Sequence, residues 1–75
     1  MTPDKVEKAK AALKAANLRV LAASQRGGAS AHMRQASHPI YAGQEIICIG
    51  KAQQLEAIAA RTEAEATLIE AEAGI

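Results

Sequence analysis

The sequence predicts a mainly α-helical protein with two amphipathic helices, at about residues 3–24 and 51–73. Between them we expect a glycine-rich loop and a short β-strand or hairpin at about residues 40–49. Three observations predict this arrangement. Apolar residues recur every three or four positions near both ends of the chain, a Gly-Gly pair interrupts the pattern, and β-branched residues cluster in the middle.

The first helix is expected to open with Thr2 as N-cap and Pro3 at the first helical position. Its apolar stripe consists of Val6, Ala9, Leu13, Ala16 and Val20. Its end has two interpretations. Either the helix continues to about Ser24, which the local alanines favour, or it stops near Asn17 and residues 18–21 form a short strand.

Residues 25–39 are expected to form a loop, because Gly27-Gly28 stops the helix and small polar residues follow. After this loop, three isoleucines between positions 46 and 49 indicate a strand, preceded by a turn at Ala42-Gly43. A two-stranded ribbon is marginal in water, so it would have to pack on the helices or pair with another chain.

The second helix shows the clearest periodicity of the chain. Its stripe alternates between steps of three and four residues and consists of Ala52, Leu55, Ala59, Thr62, Ala66, Ile69 and Ala73, with Ile58 widening it. Gly74 is a natural terminator for this helix.

Composition predicts one small domain, residues 1–75, with a thin core. Hydrophobic residues make up 49% of the chain, but about half of them are alanine, and Tyr41 is the only aromatic. A single cysteine, Cys48, forms no internal disulfide. Small domains with little core usually gain stability from a partner. We therefore expect a homo-oligomer or a subunit docked on another protein.

Charge is divided between the two halves of the chain. The first 35 residues carry a balance of +5 and the remaining residues a balance of −4. The candidate partner-binding residues are the basic ones of the first half: Lys5, Lys8, Lys10, Lys14, Arg19, Arg26 and Arg34.

Glu56, Glu63 and Glu70 recur every seven residues, as an acidic flank beside an apolar seam does. The candidate helix-pairing residues are Val6, Leu13, Val20, Leu55, Ile58 and Ile69. Helices with opposite flanks can pair within one chain or between chains.

Nothing in the sequence points to an enzyme, a metal site, a cofactor or a small-molecule substrate. His32, His38 and Cys48 match no compact zinc spacing, and the isoleucines around Cys48 favour an inert, buried thiol. No apolar run is long enough to cross a bilayer or to act as a signal peptide, so we expect a cytoplasmic protein that does not bind membranes.

These features favour a non-enzymatic protein–protein interaction module: an adaptor, inhibitor or assembly subunit that self-associates or docks on a larger protein. The alternative is a small nucleic-acid-binding protein that uses the basic half, including Arg26-Gly27-Gly28. The predicted order of helix, hairpin and helix resembles the layout of small virion-joining proteins of tailed phages. This likeness of architecture implies a structural role in assembly as a further alternative.

Overall fold

Two long antiparallel α-helices joined by a tight turn form the part of the chain that the computed structural model describes, residues 4–75. Helix α1 spans Lys5–Ala36, a short 3₁₀ turn spans Pro39–Tyr41, and helix α2 spans Glu45–Ala73. The Cα atoms fill a volume of 57 × 13 × 10 Å. The molecule is therefore a single layer of two helices.

Helix α1 begins at an aspartate cap. The Asp4 carboxylate accepts a hydrogen bond from the backbone N–H of Glu7 at 2.8 Å, which satisfies a free donor of the first turn. The cap and first helical position expected at Thr2 and Pro3 lie outside the described residues. At the other end, the backbone N–H of Ser37 donates to Arg34 and Gln35 carbonyls.

The predicted glycine-rich loop at 25–39 is wrong, because α1 continues through Gly27 and Gly28 to Ala36. Residues 18–24 are helical as well. A helical glycine costs about 1 kcal/mol relative to alanine, a local penalty that tertiary packing outweighs. Here the contact between the helices continues past the glycine pair, since Ala29 is buried against α2.

The predicted β-strand or hairpin at 40–49 is also wrong. Residues 4–75 contain no strand; Pro39–Tyr41 is a 3₁₀ turn and residues 45–49 are the start of α2. Cys48 precedes Ala52 by one helical turn and is buried, so a helix here lengthens the buried seam, whereas a two-stranded ribbon would have no sheet to join. The resemblance to phage joining proteins thereby loses its middle element.

Local backbone conformation and capping determine where the chain reverses and where α2 begins and ends. Gly43 has φ of 88°, a left-handed conformation that favours glycine in the turn. Gln44 caps α2 without a side-chain hydrogen bond. The backbone N–H groups of Glu45 and Gly43 lower the pKa of the Glu45 carboxyl in the first turn. The predicted terminator is confirmed: Gly74 ends α2 with φ of 76°.

Alanines form the seam between the helices. The buried side chains are Ala15, Ala22, Ala29, Cys48, Ala52, Ala59, Thr62, Ala66 and Ala73. Within the described residues, no side chain larger than those of this set is fully buried. A buried CH₂ or CH₃ group contributes about 0.8 kcal/mol, and a full Leu or Ile side chain about 1.5–3 kcal/mol. The helices thus pack closely on small groups and gain little from each one.

Candidate interaction surface

The seven-residue spacing of the buried alanines defines which side of each helix faces the other. On α1, the seam row alternates between steps of three and four residues and comprises Lys8, Ala11, Ala15, Leu18, Ala22, Gln25 and Ala29. On α2, the stripe predicted from the sequence is the one turned toward α1, with its alanines and Thr62 buried and Leu55 and Ile69 half-buried. The same side of α2 holds Ile58, also half-buried.

The other three candidate pairing residues lie elsewhere. Val6, Leu13 and Val20 are 61%, 64% and 70% exposed and take no part in the seam. Each lies two positions before a seam residue of α1, and two residues turn a helix by about 200°. They therefore lie on the side of α1 opposite to α2, and their pairing with another chain stays a prediction.

This exposed side of α1 forms a second row with the same alternation of three and four. We call it the α1 outer row; it comprises Val6, Ala9, Leu13, Ala16, Val20, Ala23 and Gly27, all of which are exposed. It carries no polar or charged side chain, whereas the seam row contains Lys8 and Gln25. The more apolar of the two heptad rows of α1 thus faces away from α2.

Helix α2 also presents small apolar residues on its far side. We call this the α2 outer surface; it comprises Ala57, Ala60, Ala64, Leu68 and Ala71, all exposed. Leu68 is its one large side chain and is 56% exposed. Arg61 lies within the same side of the helix, toward the turn. Each long edge of the hairpin therefore exposes apolar groups, with the larger ones on α1.

The acidic flank lies against two arginines of α1. Arg19 forms an ion pair with Glu70, and Arg26 forms ion pairs with Glu63 and, at 3.4 Å, with Glu56. The hydrogen bond from Arg19 lowers the pKa of the Glu70 carboxyl, and the same bond raises the pKa of Arg19. Two of the seven candidate basic residues are thus paired with glutamates of α2 at the surface of the hairpin.

The other candidate basic residues are spread along α1. Lys5 lies in its first turn and Arg34 in its last, where it lines an open groove with Met33, Ala52 and Glu56. Lys8 belongs to the seam row and is half-buried. Lys10 and Lys14 line a second groove with Ile69 and Glu72 near the open end of the hairpin. The structure therefore gathers no compact basic patch from these residues.

Few polar groups are buried between the helices, and each of them has a hydrogen-bond partner. The Thr62 hydroxyl donates to Gln25 Oε1 at 3.1 Å and lies 3.0 Å from the Ile58 carbonyl oxygen. No buried side-chain N or O atom of residues 4–75 lacks a hydrogen-bond partner. The seam therefore leaves no buried polar group aimed at a ligand.

The two histidines and the cysteine each have a separate local environment. His32 Nδ1 lies 3.0 Å from Gln35 Oε1, and His38 Nδ1 accepts a hydrogen bond from the Ile40 N–H at 3.2 Å, capping the 3₁₀ turn. Cys48 is a buried free thiol in the seam. Within the described part of the chain, no three His, Cys, Asp or Glu side chains are grouped to hold a metal ion.

Neither helix of residues 4–75 has a stretch that is both long and apolar enough to cross a membrane.

Comparison of the chain with protein-family models, with curated proteins and with solved structures finds no match. The fold and surface described above define a two-helix hairpin with an alanine seam and apolar outer edges.

The seam row of α1 is the feature that sequence reasoning missed. Two rows on α1 share the same spacing, and side-chain size favours the row of Val6, Leu13 and Val20 as the pairing row. The signal that identifies the seam is the strict seven-residue recurrence of alanine, at 15, 22 and 29 in one helix and at 52, 59, 66 and 73 in the other.

Proposed function

We propose that this chain is a non-enzymatic protein–protein interaction module, a helical hairpin that docks through the exposed apolar edge of α1. The observation that carries the proposal is the α1 outer row. A helix that shows one apolar stripe to its partner normally shows a polar face to water. Helix α1 has two apolar stripes on opposite sides, and α2 covers only the less apolar one.

The thin core supports the same proposal. Stable domains are built from two or more packed layers that share a core, and this hairpin is one layer. Val6, Leu13 and Val20 are exposed, and within residues 4–75 only alanines, a cysteine and a threonine are fully buried. Docking would bury the three exposed side chains and add to the stabilisation that the seam provides.

The test uses a variant in which Val6, Leu13 and Val20 are replaced by glutamine. Its matched control is Leu21→Gln, an equally conservative change at an exposed leucine of α1 outside the outer row. Both proteins would be compared with the wild type as bait for cellular partners and in sedimentation at rising concentration, with helix content checked by circular dichroism.

We expect the triple variant to lose the association or the capture shown by the wild type, while its helix content is kept. The Leu21→Gln control should behave as the wild type does. The proposal fails if the wild type neither self-associates nor captures a protein, or if the triple variant binds as the wild type does. It also fails if the triple variant unfolds, since the row would then belong to the core.

A further inference from the structure

The two outer edges of the hairpin differ in a complementary way. The α1 outer row is flanked by lysines, since Lys14 directly follows Leu13 and Lys10 lies one turn before it. The α2 outer surface is flanked by glutamates, since Glu65 follows Ala64 and Glu72 follows Ala71. No ion pair within residues 4–75 involves any of these four charged side chains.

We propose that the chain self-associates head to tail, with the α1 outer row of one copy packed on the α2 outer surface of the next. This inference rests on the proposed function and names its partner. If two hairpins lie side by side with their turns at the same end, α1 of one copy runs antiparallel to α2 of the next. That is the relation the two helices already have within one chain.

The sizes of the side chains fit this arrangement. Within the chain, Arg19 lies level with Glu70 and Arg26 with Glu56 and Glu63, which fixes the register of the helices. Carried over to two copies, this register places Val20 level with Ala64 and Leu13 with Ala71, each within about one turn. Leu68 falls level with Ala16. Large side chains thus face small ones along both edges, as knobs face holes.

The charges fit as well. Lys10, Lys14 and Glu72 line one groove together with Glu7, between α1 and α2 of the same chain, so all four charges lie on the same broad face of the hairpin. Copies placed side by side in the same orientation bring the lysines of one to Glu72 of the next on that face. A parallel pairing of α1 with α1 of a second copy would instead bring the lysines together, and like charges disfavour it. Arg61 lies farther toward the turn, four residues before Glu65, where it can pair along its own helix.

Such a contact joins two different surfaces, so it is heterologous and each copy keeps one free edge. Repetition of a heterologous contact yields a ring if the rotation closes and an open filament if it does not. A self-complementary contact, between α1 and α1 or between two broad faces, would stop at the dimer.

The experiment uses two variants that each block one edge with neutral polar groups. Leu13→Gln with Val20→Gln blocks the edge of α1, and Ala64→Gln with Leu68→Gln blocks that of α2. All four positions are exposed, so the hairpin should keep its helix content, which circular dichroism checks. Leu21→Gln, on the broad face, is the control. The masses of each protein alone and of the two variants mixed are measured by analytical ultracentrifugation.

We expect the wild type and the control to exceed the mass of two chains as concentration rises. Each edge variant alone should stay at the 7.8 kDa of one chain. Mixed together, the variants should form a species of two chains and no larger, because each supplies the edge that the other lacks.

Several results would overturn head-to-tail association. A mixture that stays monomeric, an α2-edge variant that associates as the wild type does, or a control that no longer associates would each point to a different contact. The proposed function would survive those results if a partner or self-association persists. A wild type that is monomeric throughout also overturns the inference, and the proposed function then depends on capture of another protein.

Discussion

The backbone of Gly28 in α1 lies against the side chain of Leu55 in α2: a Cβ atom at position 28 would be 3.2 Å from Leu55 Cδ1. At Gly27, by contrast, an added Cβ would have no neighbour within 4 Å. The two adjacent glycines therefore have different roles. Gly28 makes room for a side chain of the facing helix, and Gly27 lies on the open side.

This difference predicts that alanine substitutions at the two positions change the free energy of unfolding by different amounts. Gly27→Ala should raise the free energy of unfolding by about 0.5–1 kcal/mol, since alanine is the better helix former. Gly28→Ala should gain less than Gly27→Ala or lose stability, because Leu55 has to shift. Urea unfolding at low protein concentration measures both. Equal gains from the two substitutions would show that Gly28 does not constrain the packing.

The alanine seam predicts a strong dependence on side-chain size. Ala22 is fully buried between the helices, so Ala22→Leu should force them apart and lower the free energy of unfolding by about 1–3 kcal/mol. Ala12 is exposed on the same helix, and Ala12→Leu should change stability by less than about 0.5 kcal/mol. Thermal or urea unfolding compares them. A tolerated Ala22→Leu would contradict close packing at the seam.

The pair of Arg19 and Glu70 predicts a loss of stability in acid. The hydrogen bond from Arg19 holds the pKa of Glu70 below its ordinary value of about 4.3 in the folded chain. The contribution of this pair to the free energy of unfolding is therefore complete above that ordinary pKa. It disappears as pH falls through the lower pKa of the folded state. Between neutral pH and acid, Glu70→Gln should lose less stability than the wild type.

The control for that measurement is Glu65→Gln, which removes a carboxylate that forms no ion pair in the described residues. It should keep the acid sensitivity of the wild type. Urea midpoints at neutral and acidic pH are compared for the three proteins, at low concentration to limit association. An identical acid response of wild type and Glu70→Gln would show that this pair contributes nothing.

The nucleic-acid alternative leads to a separate prediction. Arg19 and Arg26 are paired with glutamates, and the acidic helix α2 runs alongside α1, so phosphates would meet both signs of charge. We expect no retention of duplex DNA or single-stranded RNA at physiological salt in a filter-binding or mobility assay. Binding that falls steeply with salt and weakens in a Lys10→Gln, Lys14→Gln variant would reverse this expectation.

The periodicity of α2 was sufficient to predict its buried stripe, because Leu55, Thr62 and Ile69 alternate with alanines on one side. For α1 the same rule selects the outer row, which does not face α2, since Leu13 and its neighbours are larger than Ala15 and Ala22. Side-chain size indicates which row gains most from burial, but close approach of two helices selects the row with the smallest groups.

The middle of the chain could not be predicted from local preference. Gly27-Gly28 and the isoleucines before Gly50 have low or moderate helix propensity, yet both segments are helical. What decides the conformation is the contact of the two helices along their length, and Cys48 marks how far that contact reaches. Long-range contact of this kind leaves no signature in a short window of sequence.

Whether the outer edge of α1 is a docking surface is best measured by sedimentation equilibrium. The wild type is compared with the variant in which Val6, Leu13 and Val20 are replaced by glutamine. We expect a mass that rises with concentration for the wild type and stays at 7.8 kDa for the variant, with equal helix content. Association of equal strength in both proteins would contradict it.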